Sequence, residues 1–326
     1  MTTCQRYYYL KLSKKIGYKS NALLHTVLCC TSIILGGLSF IIGKCTHKIV
    51  FSKNKKYGLA IVAIAKNEAD YIKEWCAYHK LVGVNHIFIY DNGSTDNTKE
   101  EVQCFVDSGF VTVIPFPGEK MQLTAYNNAI REYGPMCRYI AFIDCDEFIV
   151  PLYHSSNLVN EINKIITQDH NIGGVAINWC MYGSSGYKKK PSGLLTERFL
   201  KRADTKTGLG NDCIKTIAIP EYIDKYINPH FPKFKFGFYN VDTQGKIVEA
   251  WDNPITEYHI MRINHYFTKS EQQWITRRAL GKADKGSDHI RHMDEFYRHD
   301  NNDIYDDIML AYSNDIKDLI YNKYCK

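Results

Sequence analysis

Four runs of nearly continuous apolar residues occur in the first half of the chain, and three of them are followed directly by polar residues. The runs cover residues 58–65, 86–90, 110–114 and 139–143. Continuous rather than alternating hydrophobicity indicates strands that are buried on both faces of a sheet. Between them, helical periodicity is found over residues 68–81, 98–107 and 122–133. The resulting βαβαβαβ order predicts an α/β fold with a mostly parallel sheet and helices on both faces.

The pattern is weaker beyond residue 150. It predicts helices over residues 158–167 and 271–280, strands over 174–179 and 261–263, and a short strand that begins at residue 211. A Gly/Ser/Lys-rich loop covers residues 183–190. A lid or acceptor loop and a solvated face explain this composition equally well. The chain after Asp284 is polar, and we interpret its histidines as part of a solvated helical tail: His289, His292 and His299.

The N-terminal part contains a long uncharged segment. Residues 22–43 include no Asp, Glu, Lys or Arg, and about 20 apolar residues suffice for a helix to cross a bilayer. Lysines lie on both sides, so the orientation stays open; a buried or an amphipathic helix is the alternative. We therefore predict a single-pass membrane protein, with residues 44–57 as a polar linker. Its catalytic domain would lie in the cytoplasm of a bacterium or in the Golgi lumen of a eukaryote.

Bulk composition narrows the partners only slightly. The 326 residues carry a net charge of +6, and no basic patch is interleaved with aromatic residues. We expect no nucleic-acid partner, and the charge favours a membrane surface or anionic substrates. The 11 cysteines form no Cys-x-x-Cys pair, which favours mostly buried, reduced thiols.

An acidic motif follows the fourth apolar run. Asp144 and Asp146 flank a single cysteine, and two carboxylates so close together are costly to hold unless a cation lies between them. Oxygen ligands at the carboxyl end of a buried strand suit Mg2+ or Mn2+. A solvated acidic turn is the simpler alternative. Phosphatases of the haloacid-dehalogenase type share an Asp-x-Asp, but Phe148 occupies the position of their usual Thr or Val.

Two earlier strand ends also carry polar groups. Asn67 and Glu68 follow the first run, and Asp91 and Asp96 follow the second. Carboxylates accept hydrogen bonds from imide N–H groups and hydroxyls, so these residues are candidates for contacts to a base or ribose. A plain strand–helix connection remains the alternative for residues 91–98. The sequence contains neither a Gly-x-Gly-x-x-Gly motif nor a Walker A motif, so a bound diphosphate would depend on the metal.

Three segments together resemble a known family. They are Ala60–Glu68 (AIVAIAKNE), Tyr90–Asp96 (YDNGSTD) and Phe142–Phe148 (FIDCDEF). They are similar to the nucleotide-binding half of GT-A glycosyltransferases, and more narrowly to the family-2-like group that includes glycosyltransferase family 92. The resemblance implies a Rossmann-like GT-A domain over residues 58–285, divided at residue 150. It also implies that Asp144 and Asp146 bind the metal and the donor diphosphate, while the loop aspartates contact the nucleoside.

A further segment, Ile263–Ser270, resembles the His-Tyr-x-x-Lys-Ser motif of the same family. His265 is therefore a candidate third metal ligand, because imidazole suits Mn2+ beside carboxylates. Lys215 and Lys269 are candidates for stabilising the leaving diphosphate, and His230 is a weaker candidate for the site. An inverting transferase also needs a carboxylate base. For that role we favour Asp212, with Asp242 and Glu249 behind it.

These observations lead to one prediction and two alternatives. We predict a metal-dependent, inverting transferase that moves a sugar from a nucleotide-sugar, a UDP-sugar foremost, to a glycan or lipid-linked acceptor. A nucleotidyltransferase would need a basic triphosphate loop after the first strand, which Lys66-Asn67-Glu68 does not resemble. A non-catalytic glycan-binding protein would have no need of the intact acidic pair. Residues 1–57 would form the anchor segment, and residues 286–326 the tail.

Overall fold

The computed structural model describes residues 3–16, 22–153, 157–254, 257–278 and 292–324. Its helices are α1 (Thr3–Ile16), α2 (Ala22–Ser52), α3 (Ile72–Leu81), α4 (Thr98–Asp107), α5 (Gln122–Glu132), α6 (Leu158–Ile166), α7 (Leu195–Arg198), α8 (Glu271–Arg278), α9 (Met293–His299) and α10 (Ser313–Asp318). Its strands are β1 (Tyr57–Ala65), β2 (His86–Asp91), β3 (Val111–Pro115), β4 (Cys137–Phe142), β5 (Glu147–Pro151), β6 (Ile172–Met181), β7 (Lys201–Arg202), β8 (Ile214–Ala218), β9 (Ile223–Tyr226), β10 (Pro232–Phe234), β11 (Tyr239–Val241), β12 (Ile247–Val248), β13 (Met261–His265) and β14 (Ile304–Tyr305).

One large sheet organises the described chain. Its strand order is β12-β11-β6-β8-β4-β1-β2-β3, and β13 pairs with both β5 and β6 beside this path. Strands β3, β2, β1 and β4 are mutually parallel. Strand β8 runs antiparallel between β4 and β6. The predicted α/β class, its mainly parallel sheet and its βαβαβαβ order are therefore confirmed.

The sheet is buried on both faces, as continuous hydrophobicity predicts. In β1, Leu59, Ile61 and Ala63 belong to one apolar core, and Ala60 and Val62 belong to the core on the opposite face. Helices α3 and α6 cover the first face, and α5 covers the second. Because side chains alternate along a strand, a strand sandwiched between two helical layers must be apolar at every position.

Strand β13 returns the C-terminal half to the acidic motif. It pairs antiparallel with β5, and His265 lies opposite Glu147 in this register. It also pairs parallel with β6, where His265 lies opposite Met181. The backbone N–H of Tyr266 donates to the carbonyl of Asp146 over 2.9 Å. Strand pairing thus fixes the 265–270 segment beside residues 144–147.

The N-terminal helices lie along the sheet domain. Helix α2 continues to Ser52, so the prediction of a polar linker from residue 44 is wrong over residues 44–52. Its Ser39 carbonyl accepts a 2.8 Å hydrogen bond from the amide of Asn171. The hydroxyl of Tyr8, on α1, accepts from the backbone N–H of Gly237 over 3.1 Å. Helix α2 is the one helix of the described chain that is long and apolar enough to cross a membrane, and by that measure it begins at Thr26.

The C-terminal segment is packed rather than solvated, which corrects the expectation of a polar tail. Met309 and Ile316 are buried in the larger core, and Phe296 is buried as well. Strand β14 pairs with β7. His299 packs its ring 5.0 Å from that of Phe267, and His289 lies outside the described residues. A few well-spaced apolar residues suffice to dock this segment on the core. The prediction failed because the average composition of the segment is polar.

Candidate active site

The carboxyl ends of β1, β2 and β4 meet at one edge of the sheet. Asn67 and Glu68 follow β1, Asp91 ends β2, and Asp144 follows β4 by two residues. Parallel neighbours place such strand ends side by side. The structure therefore brings the predicted residues of the first half to one edge of the sheet, and β13 adds His265 from the second half.

A tight turn shapes the acidic motif. The backbone N–H of Asp144 donates to Glu147 Oε2 over 3.0 Å, and the N–H of Glu147 donates back to the Asp144 carbonyl over 3.1 Å. Glu147 is fully buried, and burial raises its pKa well above the ordinary range, against the opposing charge of Lys215. Glu147 thus holds the turn that carries Asp144 and Asp146.

Asp144 is held by a lysine and an amide. Lys215 Nζ lies 3.1 Å from Asp144 Oδ2 and 3.6 Å from Glu147 Oε2. Gln122, at the start of α5, donates to Asp144 Oδ1 over 3.0 Å. Burial by itself would lower the pKa of Lys215, but the two carboxylates outweigh it and raise that pKa. The lysine is therefore a fixed positive charge beside Asp144.

Asp146 is held by two cations from the 269–277 segment. Lys269 Nζ and Arg277 Nη1 each lie 2.8 Å from Asp146 Oδ2. Arg277 also reaches Glu68 over 3.2 Å, so it joins the ends of β1 and β4. Burial raises the pKa of Asp146, but Lys269 and Arg277 together hold it well below its ordinary value. Burial, and then Arg277, lower the pKa of Lys269 to about 8.

His265 lies between two acidic residues. Its Nε2 is 3.6 Å from Asp146 Oδ1, and its Nδ1 is 3.9 Å from Glu147 Oε1. Burial lowers the pKa of this imidazole to about 3, so it is neutral and keeps a lone pair for a ligand. Within the described chain, His265 Nδ1 and Glu147 Oε1 are buried and make no hydrogen bond. Such unpaired buried atoms are costly unless something binds there.

The donor chemistry of this cluster fits a divalent ion. Two carboxylates and a neutral imidazole are suitable ligands for Mn2+ or Mg2+, and His265 Nε2 already faces Asp146. Among the residues that the structure describes, no three His, Cys, Asp or Glu side chains are already arranged as a metal site. Lysine and arginine side chains contact both aspartates.

The loop after β2 is built by its own polar side chains. Asp91 accepts from the N–H of Ser94 and pairs with Lys99 at 3.1 Å. Asp96 accepts from the N–H groups of Thr98 and Ala69. Asn67, whose φ of 59° is left-handed, accepts from the N–H of Thr95 over 2.7 Å. These bonds show the structural role that the sequence left open, and they hold the loop against the end of β1.

The remaining predicted residues are scattered. Asp212 is exposed at the start of β8, three residues before Lys215. Asp242 closes the turn between β11 and β12 by accepting from the N–H groups of Gln244 and Lys246. Glu249 pairs with Lys14 of α1. The structure thus employs Asp242 and Glu249 elsewhere, and Asp212 is the one of the three carboxylates left exposed near Lys215.

Two histidines and a tryptophan form a row beside the acidic motif. The ring of Trp179 lies 4.3 Å from that of His265 and 5.0 Å from that of His230. His230 Nδ1 is 3.1 Å from the carbonyl oxygen of Ile214. The structure therefore brings His230 near the site through Trp179 and does not place it on the aspartates.

The loop over residues 183–190 is docked on α8. The N–H of Gln272 donates to the Lys188 carbonyl over 2.9 Å, and the N–H of Lys190 donates to the Gln272 side chain over 3.0 Å. Asp70, just after β1, accepts from the side chain of Gln273 over 2.7 Å and pairs with Lys190. Asp70 thus ties this loop and the helix that carries Arg277 to the segment between β1 and α3.

Sequence reasoning missed Arg277 and the structural part of Glu147. Arg277 lies eight residues after Lys269, and on α8 it shares a helix face with Gln273, which binds Asp70. That i, i+4 spacing was the available signal. Glu147 stands in the motif itself, but only the turn geometry shows that its carboxylate binds backbone and not solvent.

Comparison with known proteins identifies the family. The model of glycosyltransferase family 92 matches residues 59–300 of this chain. A family 92 protein of Ricinus communis is 27% identical over 139 residues, which are 42% of this chain and 25% of that protein. One of Arabidopsis thaliana is 28% identical over 144 residues, 42% of this chain and 25% of that protein. The matched region thus spans about a quarter of these relatives.

Solved structures match part of the chain at low similarity. S. aureus TarS in complex with UDP is 16% identical with a TM-score of 0.33, covering 50% of this chain and 47% of that chain. Glucosyl-3-phosphoglycerate synthase of Mycobacterium tuberculosis, in complex with Mn2+ and UDP, is 20% identical with a TM-score of 0.28, covering 41% and 47%. Since the family model spans well over half of the 326 residues, the chain belongs to glycosyltransferase family 92.

Proposed function

We propose that this protein transfers a sugar from a nucleotide-sugar, a UDP-sugar foremost, to a hydroxyl of a glycan or lipid-linked acceptor. The observation that carries the proposal is the meeting of Asp144, Asp146 and His265 with the cations Lys215, Lys269 and Arg277. A metal–diphosphate presents both signs of charge. A site for a metal–diphosphate needs anionic ligands for the ion and cations for the phosphate oxygens. This cluster of side chains contains both.

The metal would be held by Asp144, Asp146 and His265. When bound, a divalent ion at this place neutralises the charge that develops on the leaving nucleoside diphosphate. The protein's own cations have a second part in the reaction. Lys269 and Arg277 contact Asp146, and beside a bound metal–diphosphate they would be placed to contact the phosphate oxygens. Lys215 stays on Asp144 and Glu147, where it fixes the orientation of the turn.

The sugar transfer itself needs a base for the acceptor. In an inverting reaction the acceptor oxygen forms a bond to the anomeric carbon as the bond to the phosphate oxygen breaks. The hydroxyl proton passes to a carboxylate, and the nucleoside diphosphate leaves with the bonding electrons. We propose Asp212 for this base because it is exposed and lies three residues before Lys215, which contacts Asp144.

The nucleoside would lie over the ends of β1 and β2. Glu68 is buried there with Arg277 on its carboxylate. Asp91 is buried too, and its loop is already ordered by internal bonds. A preordered loop recognises a ligand at a low entropic cost. We further propose that α2 associates the protein with a membrane, because it is long and apolar enough to do so.

A screen of nucleotide-sugars tests the proposal. Purified full-length protein would be incubated with UDP-, GDP- and CMP-sugars, with and without Mn2+, and free nucleotide would be measured. We expect Mn2+-dependent release of UDP from at least one UDP-sugar. Absence of hydrolysis and of UDP binding under all these conditions would contradict the proposal and favour a glycan-binding protein. Release of pyrophosphate from nucleoside triphosphates would instead favour a nucleotidyltransferase.

A further inference from the structure

We propose that a row of aromatic side chains leading away from His265 binds the acceptor as a saccharide, with Trp251 as its stacking surface. This inference rests on the proposed function and names the chemistry of the acceptor. The row runs from His265 to Trp179, then to His230 and to Trp251, with ring centroids 4.3, 5.0 and 6.4 Å apart. Its outer member, Trp251, is 47% exposed.

The row lies on the side of β4 away from the nucleoside end. Trp179 is on β6, and His230 Nδ1 is 3.1 Å from the carbonyl oxygen of Ile214, the first residue of β8. Strands β6 and β8 flank β4 on one side, whereas β1 and β2 flank it on the other. A donor on β1, β2 and the acidic motif would therefore leave this row for the second substrate.

The loop that presents Trp251 is held firmly. The Trp251 carbonyl accepts from the N–H of Ile214 over 3.2 Å, and the N–H of Asn253 donates to the Asp212 carbonyl over 2.7 Å. The side chains of Asn253 and Asn178 are also joined: Asn253 Nδ2 donates to Asn178 Oδ1 over 3.0 Å. An exposed tryptophan on a loop with this many bonds is preorganised, so little conformational entropy is lost when a ligand covers its ring.

Carboxylates stand beside the aromatic surface. Asp212 is exposed and Asp252 is half-buried, and both are close enough to raise the pKa of the Cys213 thiol, although burial is the larger cause. A pyranose ring has an apolar C–H face and a rim of hydroxyl groups. An indole ring can stack on the C–H face, and carboxylates can accept hydrogen bonds from the hydroxyl groups. A purely apolar acceptor would leave these carboxylates desolvated at a cost.

The test uses full-length protein, an oligosaccharide array and calorimetry. The array would carry oligosaccharides that end in glucose, galactose, mannose, N-acetylglucosamine or fucose, and calorimetry would follow UDP with Mn2+. Trp251→Ala is compared with Trp251→Phe, which keeps a ring, and with Tyr321→Ala, which removes an aromatic side chain that is 66% exposed elsewhere. Because Trp251 is exposed, the alanine variant should fold, and a thermal melt checks this.

We expect Trp251→Ala to weaken saccharide binding about tenfold and to leave UDP affinity unchanged. Trp251→Phe and Tyr321→Ala should stay within about threefold of wild type. The proposal is overturned if Trp251→Ala binds the array like wild type, or if wild type binds UDP but no saccharide. Failure of UDP binding with Trp251-dependent saccharide binding would instead contradict the transferase function and leave the row intact as a glycan site.

We also infer that α2 lies in the plane of a membrane surface and does not cross it. Its amphipathicity is inverted relative to a helix that covers a soluble core. The middle of the face that packs on the protein consists of small residues, Ser32, Gly36, Ser39 and Gly43, and Leu28 and Val50 are buried towards its ends. The outward face is apolar, with exposed fractions of 70% for Ile34, 61% for Ile41 and 59% for Ile49.

Contacts at both ends of α2 place them on the same body. Helix α1, which precedes α2, stacks Tyr7 on Tyr239 with ring centroids 5.2 Å apart, and its Lys14 pairs with Glu249. The other end of α2 continues to β1. A helix that spanned the bilayer would separate α1 from the domain by the thickness of the membrane. Helix α1 instead touches the same strand, β11, that lies beside β6.

The outward side of α2 fits an anionic lipid surface. Lys44 and Lys48 are exposed on the helix beside its apolar face, and Lys53 is exposed just beyond its end. Apolar side chains that enter the acyl region and lysines that reach the headgroups are the two components of in-plane membrane binding. We therefore assign the bilayer surface, and not a protein partner, to this face.

Membrane topology decides between in-plane and spanning arrangements. Full-length protein with an N-terminal peptide tag would be expressed in bacterial membranes, and protease would be added to spheroplasts and to inverted vesicles. In-plane binding predicts that tag and domain are cleaved from the same side. Cleavage from opposite sides, or recovery of the wild type in the soluble fraction, would overturn the inference.

Paired substitutions locate the binding face. Ile34→Glu with Ile41→Glu should move most of the protein to the soluble fraction, because both side chains are exposed on the proposed lipid face. Ile227→Glu is the matched control, since Ile227 is 63% exposed but lies outside α2. Membrane binding that survives the double substitution would also overturn the inference.

Discussion

The guanidinium of Arg277 donates to the carboxylate of Asp146 over 2.8 Å, across 131 residues of sequence. The same side chain contacts Glu68 at the end of β1 and the hydroxyl of Tyr71. Arg277 therefore occupies one of the carboxylates that the proposed metal would need. We predict that binding of the metal and release of this arginine are coupled, because two cations on one carboxylate repel each other.

This coupling predicts opposite effects of Arg277→Gln on two ligands. Mn2+ alone should bind the variant more tightly, by about threefold to tenfold, because a competing cation is gone. UDP in the presence of Mn2+ should bind less tightly, by about tenfold, because a phosphate partner is lost. Calorimetric titration of both ligands measures the two effects. Arg131→Gln, which removes an exposed arginine paired with Glu132, should change neither affinity, and parallel changes in both affinities for Arg277→Gln would refute the coupling.

Asp144→Asn and Asp146→Asn should each abolish sugar transfer, and EDTA should do the same to the wild type. Each substitution removes one ligand charge and keeps the side-chain shape. The fold should persist with a lowered melting temperature, since Lys215 or Lys269 loses an ionised partner. Asp242→Asn, in an exposed turn, is the control. Activity that survives both substitutions and EDTA would exclude the metal role.

His265→Ala should weaken Mn2+ and UDP binding together if His265 is a ligand, because one is bound through the other. Its Nε2 already faces Asp146 at 3.6 Å. A purely structural histidine would lower the melting temperature and leave metal-dependent UDP affinity unchanged. Calorimetry beside a thermal melt separates the two cases. His230→Ala, which removes a nearby half-buried histidine, should leave Mn2+ affinity as it is.

His79 predicts an acid-labile contact between α3 and β5. Its Nδ1 lies 2.9 Å from the Trp75 carbonyl, and its Nε2 accepts from the N–H of Ile149 over 3.3 Å. Nε2 can accept only in the neutral ring, whereas Nδ1–H can donate to the Trp75 carbonyl in either protonation state. Burial lowers the pKa of His79 from 6.5 to about 3. As the pH drops, His79 is therefore protonated in the unfolded chain before it is protonated in the folded chain. The free energy of unfolding falls between pH 6.5 and about 3.

The expected loss at pH 5, relative to pH 7, is about 2 kcal/mol from this residue. Urea unfolding of wild type and His79→Gln at both pH values measures it, since other titrating groups cancel in the difference. The variant should be less stable at pH 7 and should lose about 2 kcal/mol less on acidification. Equal losses in the two proteins would show that His79 keeps an ordinary pKa.

Deletion of residues 1–50 tests how far the domain depends on the N-terminal helices. Asn171, which is fully buried, and Gly237 lose their hydrogen-bond partners on Ser39 and Tyr8. Asn171 precedes β6, whereas Trp179 lies near its other end, about 25 Å away. The truncated domain should be soluble, several degrees less stable, and unchanged in UDP affinity by calorimetry. A truncated domain that loses UDP binding while still folded would show that α1 and α2 act on the site.

Local composition was enough to determine the first half of the fold. A strand covered by helices on both sides must be apolar throughout. Residues 58–65 and 139–143 can therefore be recognised as buried strands from their local sequence alone. The acidic motif and the loop after β2 follow such strands directly, so their place at the carboxyl edge comes from chain order alone. The resemblance to the family used the same segments, and the family match confirms it.

Other features depended on contacts between distant residues. The cations on Asp146 come from residues 123 and 131 positions away, and no local pattern states which carboxylate a lysine will meet. Residues 293–324 are polar on average, yet a few apolar side chains dock them on the larger core. For α2, hydropathy predicted an apolar helix. Which of its apolar residues stay exposed depends on the side that packs against the domain. Tertiary structure decides these points because side-chain partners are chosen by the fold and not by separation along the chain.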